Sequence, residues 1–143
     1  MSGHLILLVE DDPNDAFFLQ RALRKTRADV PLQKVNDGQQ ALDYVDGTGN
    51  YTDRSTSPLP SLILLDLKLP CINGFEILEH LRASPGLSNI PVFVLSSSPE
   101  ERDRIRALEL GAKGYLVKPP TPEMLLQILG PAPGITVASP AAR

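Results

Sequence analysis

The chain has 143 residues, a formal net charge of −3, 42% hydrophobic residues and one cysteine, Cys71. That length and apolar content suffice for one domain with a full core, and the mild acidity gives no general affinity for nucleic acid. A single cysteine excludes an internal disulfide, no leader-like segment opens the sequence and no apolar run approaches a membrane span, so a cytoplasmic protein with neither membrane nor nucleic-acid partner is expected.

Residues 4–9 form an apolar strand that ends in Glu10, Asp11 and Asp12. Asp12, Pro13, Asn14 and Asp15 then read as a helix start, with Asp12 as N-cap, Pro13 in the first turn and acids near the positive end of the dipole. Phe18, Leu19, Ala22 and Leu23 are its expected inward face, and the helix should end near Arg27 in a basic final turn of Arg21, Arg24, Lys25 and Arg27. Residues 30–35 make a short second strand, and Pro31 places it at a sheet edge. Asn36-Asp37-Gly38 turns into a helix carrying Ala41, Leu42 and Val45. Residues 47–60 are long for a connection from helix to strand.

Residues 61–66 are an apolar run ending in Asp66. Such a run reads as a strand buried on both faces, with the carboxylate where the strand leaves the sheet. On its own the stretch also allows Asp66 simply to cap a turn. A parallel sheet, however, places Glu10, Asp11 and Asp12 beside it. Two carboxylates ~4 Å apart at an effective dielectric of ~20 repel by ~4 kcal/mol, so the cluster must hold protons or a cation. All-oxygen ligands with room for water and phosphate suit Mg²⁺. Asn73 with Glu76 resembles a capping box, and Phe75, Leu78 and Leu81 can pack inward from the helix that follows.

The fourth strand, residues 91–95, is followed by Ser96, Ser97 and Ser98. Ser98 as N-cap, Pro99 and Glu101 open a fourth helix with Ile105, Leu108 and Ala112 on its apolar side and Gly111 at its end. The fifth strand, residues 114–117, is followed by Lys118, Pro119 and Pro120. Thr121-Pro122-Glu123 starts the last helix, with Leu125, Leu126 and Ile128. Residues 130–143 are rich in Pro, Ala and Gly and read as a flexible tail after a domain of residues 1–129.

Strands alternating with helices imply a doubly wound parallel α/β sheet, in which ligands bind at the carboxyl ends of the strands. Those ends carry acids, an acid, a hydroxyl and a lysine, in that order. In this the chain resembles the receiver domain of two-component response regulators over roughly residues 4–129. The resemblance implies a flavodoxin-like fold with strand order 2-1-3-4-5. It implies a phosphoryl group passed from a sensor histidine kinase to Asp66, and Mg²⁺ held by Asp11, Asp66, the backbone carbonyl of Lys68 and, through water, Glu10. It implies that Lys118 pairs with a phosphoryl oxygen and little else, that the Lys118–Pro119 bond is cis, that Ser96 is the switch hydroxyl and that Tyr115 is the switch aromatic. Glu10 in place of the commoner aspartate and Ser96 in place of threonine depart from the family pattern. The long segment 47–60 is similar to one in receivers that partner bacterial phytochromes; a loose surface loop is the alternative.

With no output domain expected after residue 130, the implied role is a single-domain regulator that signals through protein partners and is no enzyme beyond slow loss of its own phosphate. A shuttle in a phosphorelay, an aspartyl phosphohydrolase and a structural binding module are the alternatives. The hydrolase lacks a second acid, because Leu67 and Lys68 follow Asp66. A homodimer is expected through the fourth helix, fifth strand and fifth helix. Its charges would be Arg102, Arg104, Arg106, Glu109 and Glu123, its apolar centre Tyr115, Leu116 and Leu125, and the tail could extend it.

Overall fold

The computed structural model describes residues 5–98 and 100–129. The expected tail and Pro99, placed in the first turn of the fourth helix, lie outside the described residues. The strands are β1 (Ile6–Val9), β2 (Leu32–Val35), β3 (Leu62–Asp66), β4 (Val92–Ser96) and β5 (Gly114–Val117). They alternate with helices α1 (Pro13–Lys25), α2 (Gly38–Asp46), α3 (Gly74–Ala83), α4 (Glu101–Glu109) and α5 (Pro122–Leu129). All pairs are parallel, in the order β2-β1-β3-β4-β5.

Side chains alternate across a strand, and helices on both sides turn that alternation into two cores. Leu7, Val9, Ile63, Leu65 and Val94 point to one face, where α2, α3 and α4 add Tyr44, Val45, Ile77, Leu78, Leu81 and Ala107. Ile6, Leu8, Leu62, Leu64 and Leu95 point to the other, where Leu19, Ala22, Leu23 and Leu125 come from α1 and α5. This double burial explains why β1 and β3 read as unbroken apolar runs rather than alternating ones. The register sets Val9 beside Leu65 and Asp66 beside Leu95, so the strands end together on one edge.

Local signals hold at most helix ends. Asp12 accepts the N–H groups of Asn14 and Asp15 at 2.8 and 3.4 Å. Asn73 and Glu76 form the reciprocal capping box, and Thr121 Oγ1 accepts the Met124 N–H at 3.1 Å. The helix α4 differs from expectation. Its N-cap is Glu100, without a side-chain bond, because the Ser98 hydroxyl is engaged elsewhere. Ser98 Oγ accepts the Glu100 N–H at 3.3 Å, a local turn that competes with capping, and donates to Asp103 at 3.2 Å.

Three expected inward side chains are out. Phe18, Ile105 and Leu108 are exposed, because Ala16, Leu19, Ala22 and Leu23 set the inner stripe of α1 and Ala107 alone is buried in α4. The reverse holds for Leu125, expected at an interface but only 1% exposed within the core.

The connection after α2 is ordered. A 3₁₀ turn covers Gly49–Tyr51. The Tyr51 ring packs on Tyr44 with centroids 4.9 Å apart, and the Tyr44 hydroxyl donates to the Pro58 carbonyl at 2.8 Å. No helix among the described residues is long and apolar enough to cross a membrane.

Candidate functional site

The ends of β1, β3, β4 and β5 meet on one edge of the sheet, β1 bringing two acids and each of the others one polar group. Glu10 follows β1 and is only 2% exposed. Its Oε2 accepts the Asp12 N–H at 3.2 Å, so the turn into α1 fixes the carboxyl from its own backbone. Asp11, next to it, is exposed. Asp66 closes β3 and is buried, and its Oδ1 accepts the Lys68 N–H at 3.1 Å. Behind it the chain is tight: a Cβ on Gly74 would lie 2.7 Å from the Asp66 carbonyl oxygen and 2.7 Å from Leu67 Cα.

Glu10, Asp11 and Asp66 each place a carboxylate oxygen within 4.8 Å of the others. Three carboxylates and no nitrogen or sulfur donor suit a hard divalent cation. The donor set therefore fits Mg²⁺ or Mn²⁺.

Lys118 enters this acidic edge from β5, whose ladder its N–H extends by donating to the Ser96 carbonyl at 2.9 Å. The Lys118–Pro119 bond is cis. The ammonium was expected to have little company. Instead Lys118 Nζ lies 2.7 Å from Glu10 Oε1, 2.9 Å from Asp15 Oδ2 and 3.3 Å from Asp66 Oδ2. Clustered acids draw the Lys118 ammonium inward.

These contacts shape the local proton affinities. Burial raises the Glu10 carboxyl to about 7, and the Asp66 charge adds to the rise while Lys118 only partly offsets it. For Lys118, burial pulls the ammonium down, but hydrogen bonds to Glu10 and Asp15 and the Asp66 charge outweigh it. The net effect holds Lys118 above the usual lysine value.

Ser96 is fully buried at the end of β4, and its Oγ accepts the Ser98 N–H at 3.0 Å. Tyr115 is half-buried, and its hydroxyl donates to the Ser98 carbonyl at 2.7 Å. The hydroxyl and the aromatic ring thus share Ser98, a residue the sequence suggested only as a helix cap. Asp15 is the other residue missed. Its signal is position: it lies in the first turn of a helix that starts directly after the acids, so it turns back over them.

Beside the site, Phe18, Arg21, Ala22 and Lys25 of α1 face Pro119, Pro120, Thr121 and Pro122 across a groove.

Comparison with known proteins agrees with this geometry. The model of the response regulator receiver domain matches residues 6–130. The response regulator Rcp1 of Synechocystis is 40% identical over 114 residues, which cover 80% of this chain and 76% of Rcp1. The crystal structure of its Mn²⁺-bound form superposes with a TM-score of 0.74 at 37% identity, covering 89% of each chain. The bacteriophytochrome response regulator RtBRR gives a TM-score of 0.80 at 40% identity, over 97% of this chain and 82% of its own. With the sheet order, the strand-end acids and the lysine in place, the chain belongs to the response regulator receiver domain family of two-component systems.

Proposed function

We propose that this receiver accepts a phosphoryl group from a sensor histidine kinase on Asp66. The observation that carries the reading is the cluster in which Glu10, Asp11 and Asp66 each place a carboxylate oxygen within 4.8 Å of the others and Lys118 lies 3.3 Å from Asp66. An Asp66 carboxylate oxygen forms the new P–O bond as the P–N bond to the kinase's phosphohistidine breaks; the bond's electron pair stays on that ring nitrogen, and the proton already on the other ring nitrogen lets the imidazole leave neutral. Asp11, Asp66, the Lys68 carbonyl and, through water, Glu10 would hold Mg²⁺, which would supply positive charge against the negative charge of donor and acceptor. Lys118 supplies a compact positive charge to a phosphoryl oxygen, and Ser96 supplies a hydroxyl to another. Because Ser96 and Tyr115 both hold Ser98, movement of Ser96 toward the phosphoryl group disturbs the Tyr115 contact and carries the signal outward.

The kinase docks along α1 and the groove below it, where exposed Phe18, Arg21 and Lys25 offer apolar and basic contacts. Similarity to Rcp1 and to a bacteriophytochrome response regulator makes a bacterial phytochrome, on the cytoplasmic side, the partner we infer. Signalling passes through a homodimer formed by α4, β5 and α5, where Ile105, Leu108, Val117 and Leu126 are exposed. These replace Leu125 as the apolar centre.

The test is incubation with acetyl phosphate and Mg²⁺ followed by intact mass. Wild type should gain one hydroxylamine-labile phosphoryl group, and Asp66→Asn should gain none. A full gain in Asp66→Asn would move the acceptor elsewhere. Sedimentation with and without beryllofluoride tests assembly: a monomer in both states at tens of micromolar would end the dimer.

A further inference from the structure

We propose that Asp15 is a positioning residue that holds Lys118 in the resting protein and opposes entry of an anionic phosphodonor. The inference rests on Asp66 as phosphoacceptor and assigns a regulator of that site. An ammonium has three N–H donors. Here three carboxylate oxygens, from Glu10, Asp15 and Asp66, surround Lys118 at 2.7, 2.9 and 3.3 Å. Only the Glu10 and Asp15 contacts are hydrogen bonds, while Asp66 is an ion-pair contact, so Lys118 can turn fully to a phosphoryl group arriving on Asp66 only if one of its two hydrogen-bonded partners lets go.

The three partners are unequal. Release of Glu10, side chain 3% exposed, would strand a buried acid without its cation. Asp66 is the reacting group, and its Oδ1 is already tied to the Lys68 N–H. Asp15 is different. Its side chain is 38% exposed and sits in the first turn of α1, where water and the helix dipole can take over from Lys118. Asp15 is therefore the arm that releases. While it holds, it keeps one donor occupied and adds a negative charge at the mouth of a site that must admit a phosphate dianion.

Asp15→Asn keeps the shape and removes the charge. It should lower the half-saturating acetyl phosphate concentration about three- to tenfold at saturating Mg²⁺, the size that one partly screened like charge gives near a surface. Phosphoramidate carries less net negative charge, so its gain should be smaller. Asp15→Glu, which restores the charge, should return both donors toward wild type. A readout free of phosphorylation accompanies these: reductive methylation of Lys118, followed by peptide mass, should be faster in Asp15→Asn. An unchanged or higher half-saturation, equal gains for both donors, or unchanged methylation each overturns the role of Asp15. If wild type is labelled on Asp66 and Asp15→Asn behaves like it, only this inference fails. If Asp66→Asn still takes the label, the assignment of Asp66 fails first.

Discussion

Arg54 donates from Nη1 to the carbonyls of Tyr44 and Ser57 at 2.7 and 3.1 Å, and from Nη2 to that of Val45 at 2.8 Å. One planar fork thereby closes the C-terminal end of α2 and pins the segment that follows. Arg54→Ala should cost about 2–3 kcal/mol, since it strands half-buried carbonyls that were bound by a charged donor. Lysine should not restore it, because a point charge lacks the fork. Urea unfolding measures both, and a loss under 0.5 kcal/mol would mean the segment is held by Tyr44 and Tyr51 alone. Gly74→Ala should be more damaging, since the new methyl meets backbone at 2.7 Å on two sides and neither can turn away. Its thermal unfolding and its Mg²⁺ binding should both suffer, because the obstructed backbone is that of Asp66. At this scale the sequence was legible where a residue type has one use at its position. The acids, Asp66 and Lys118 stand at strand ends, and a strand end faces one place. Arg54 and Asp15 were not legible, because a charged residue in a polar stretch reads as solvated until the fold shows what it reaches.

The elements differ in how firmly they are held. Helices α1 and α3 bury stripes of leucine, isoleucine and alanine, whereas α4 buries only Ala107. Its other ties are polar or electrostatic: the Arg106 guanidinium lies 4.2 Å from the Phe75 ring centroid, and Arg82 Nη1 donates to the Glu109 carbonyl at 2.8 Å. Amide exchange should therefore be faster in α4 than in α1 or α3, and Arg106→Ala should quicken it further. Protection of α4 equal to that of α3 would show that these two contacts outweigh the missing apolar face. The same weakness explains why sequence misplaced this helix. Its apolar residues Ile105 and Leu108 suggested an inner face, but they point to solvent, and a serine run offered more than one start. The strands, by contrast, were read correctly because burial on both faces leaves an apolar run no other place to go.

At the scale of the molecule, the sheet draws four polar strand ends together before any ligand arrives, and stability carries the cost. Glu10 titrates near 7 in the folded protein against an ordinary 4.5. Between those values the folded state binds more protons than the unfolded chain, so the slope of stability with pH is negative. Without metal, the contribution of Glu10 is whole below about 4.5 and is lost as pH rises to about 7. Lys118 stays protonated in both states across this window and adds no slope. Melting in EDTA should thus fall from pH 5 to 7.5, and millimolar Mg²⁺ should raise it most at the upper end, where the acids are ready to bind. A melting temperature that rises with pH in EDTA would contradict this. The interior position of β1 in the sheet has another consequence, for the order in which the chain can fold. Of the five strands β1 is the earliest in the chain, yet it lies between β2 and β3, and its register with Leu62–Leu65 needs residues more than fifty positions downstream. Until these emerge, β1 has one open edge and its apolar side chains lack their neighbours from β3. A nascent chain ending at residue 60 should therefore remain protease-sensitive, and resistance should appear only after β3 and its neighbour β4 have left the exit tunnel.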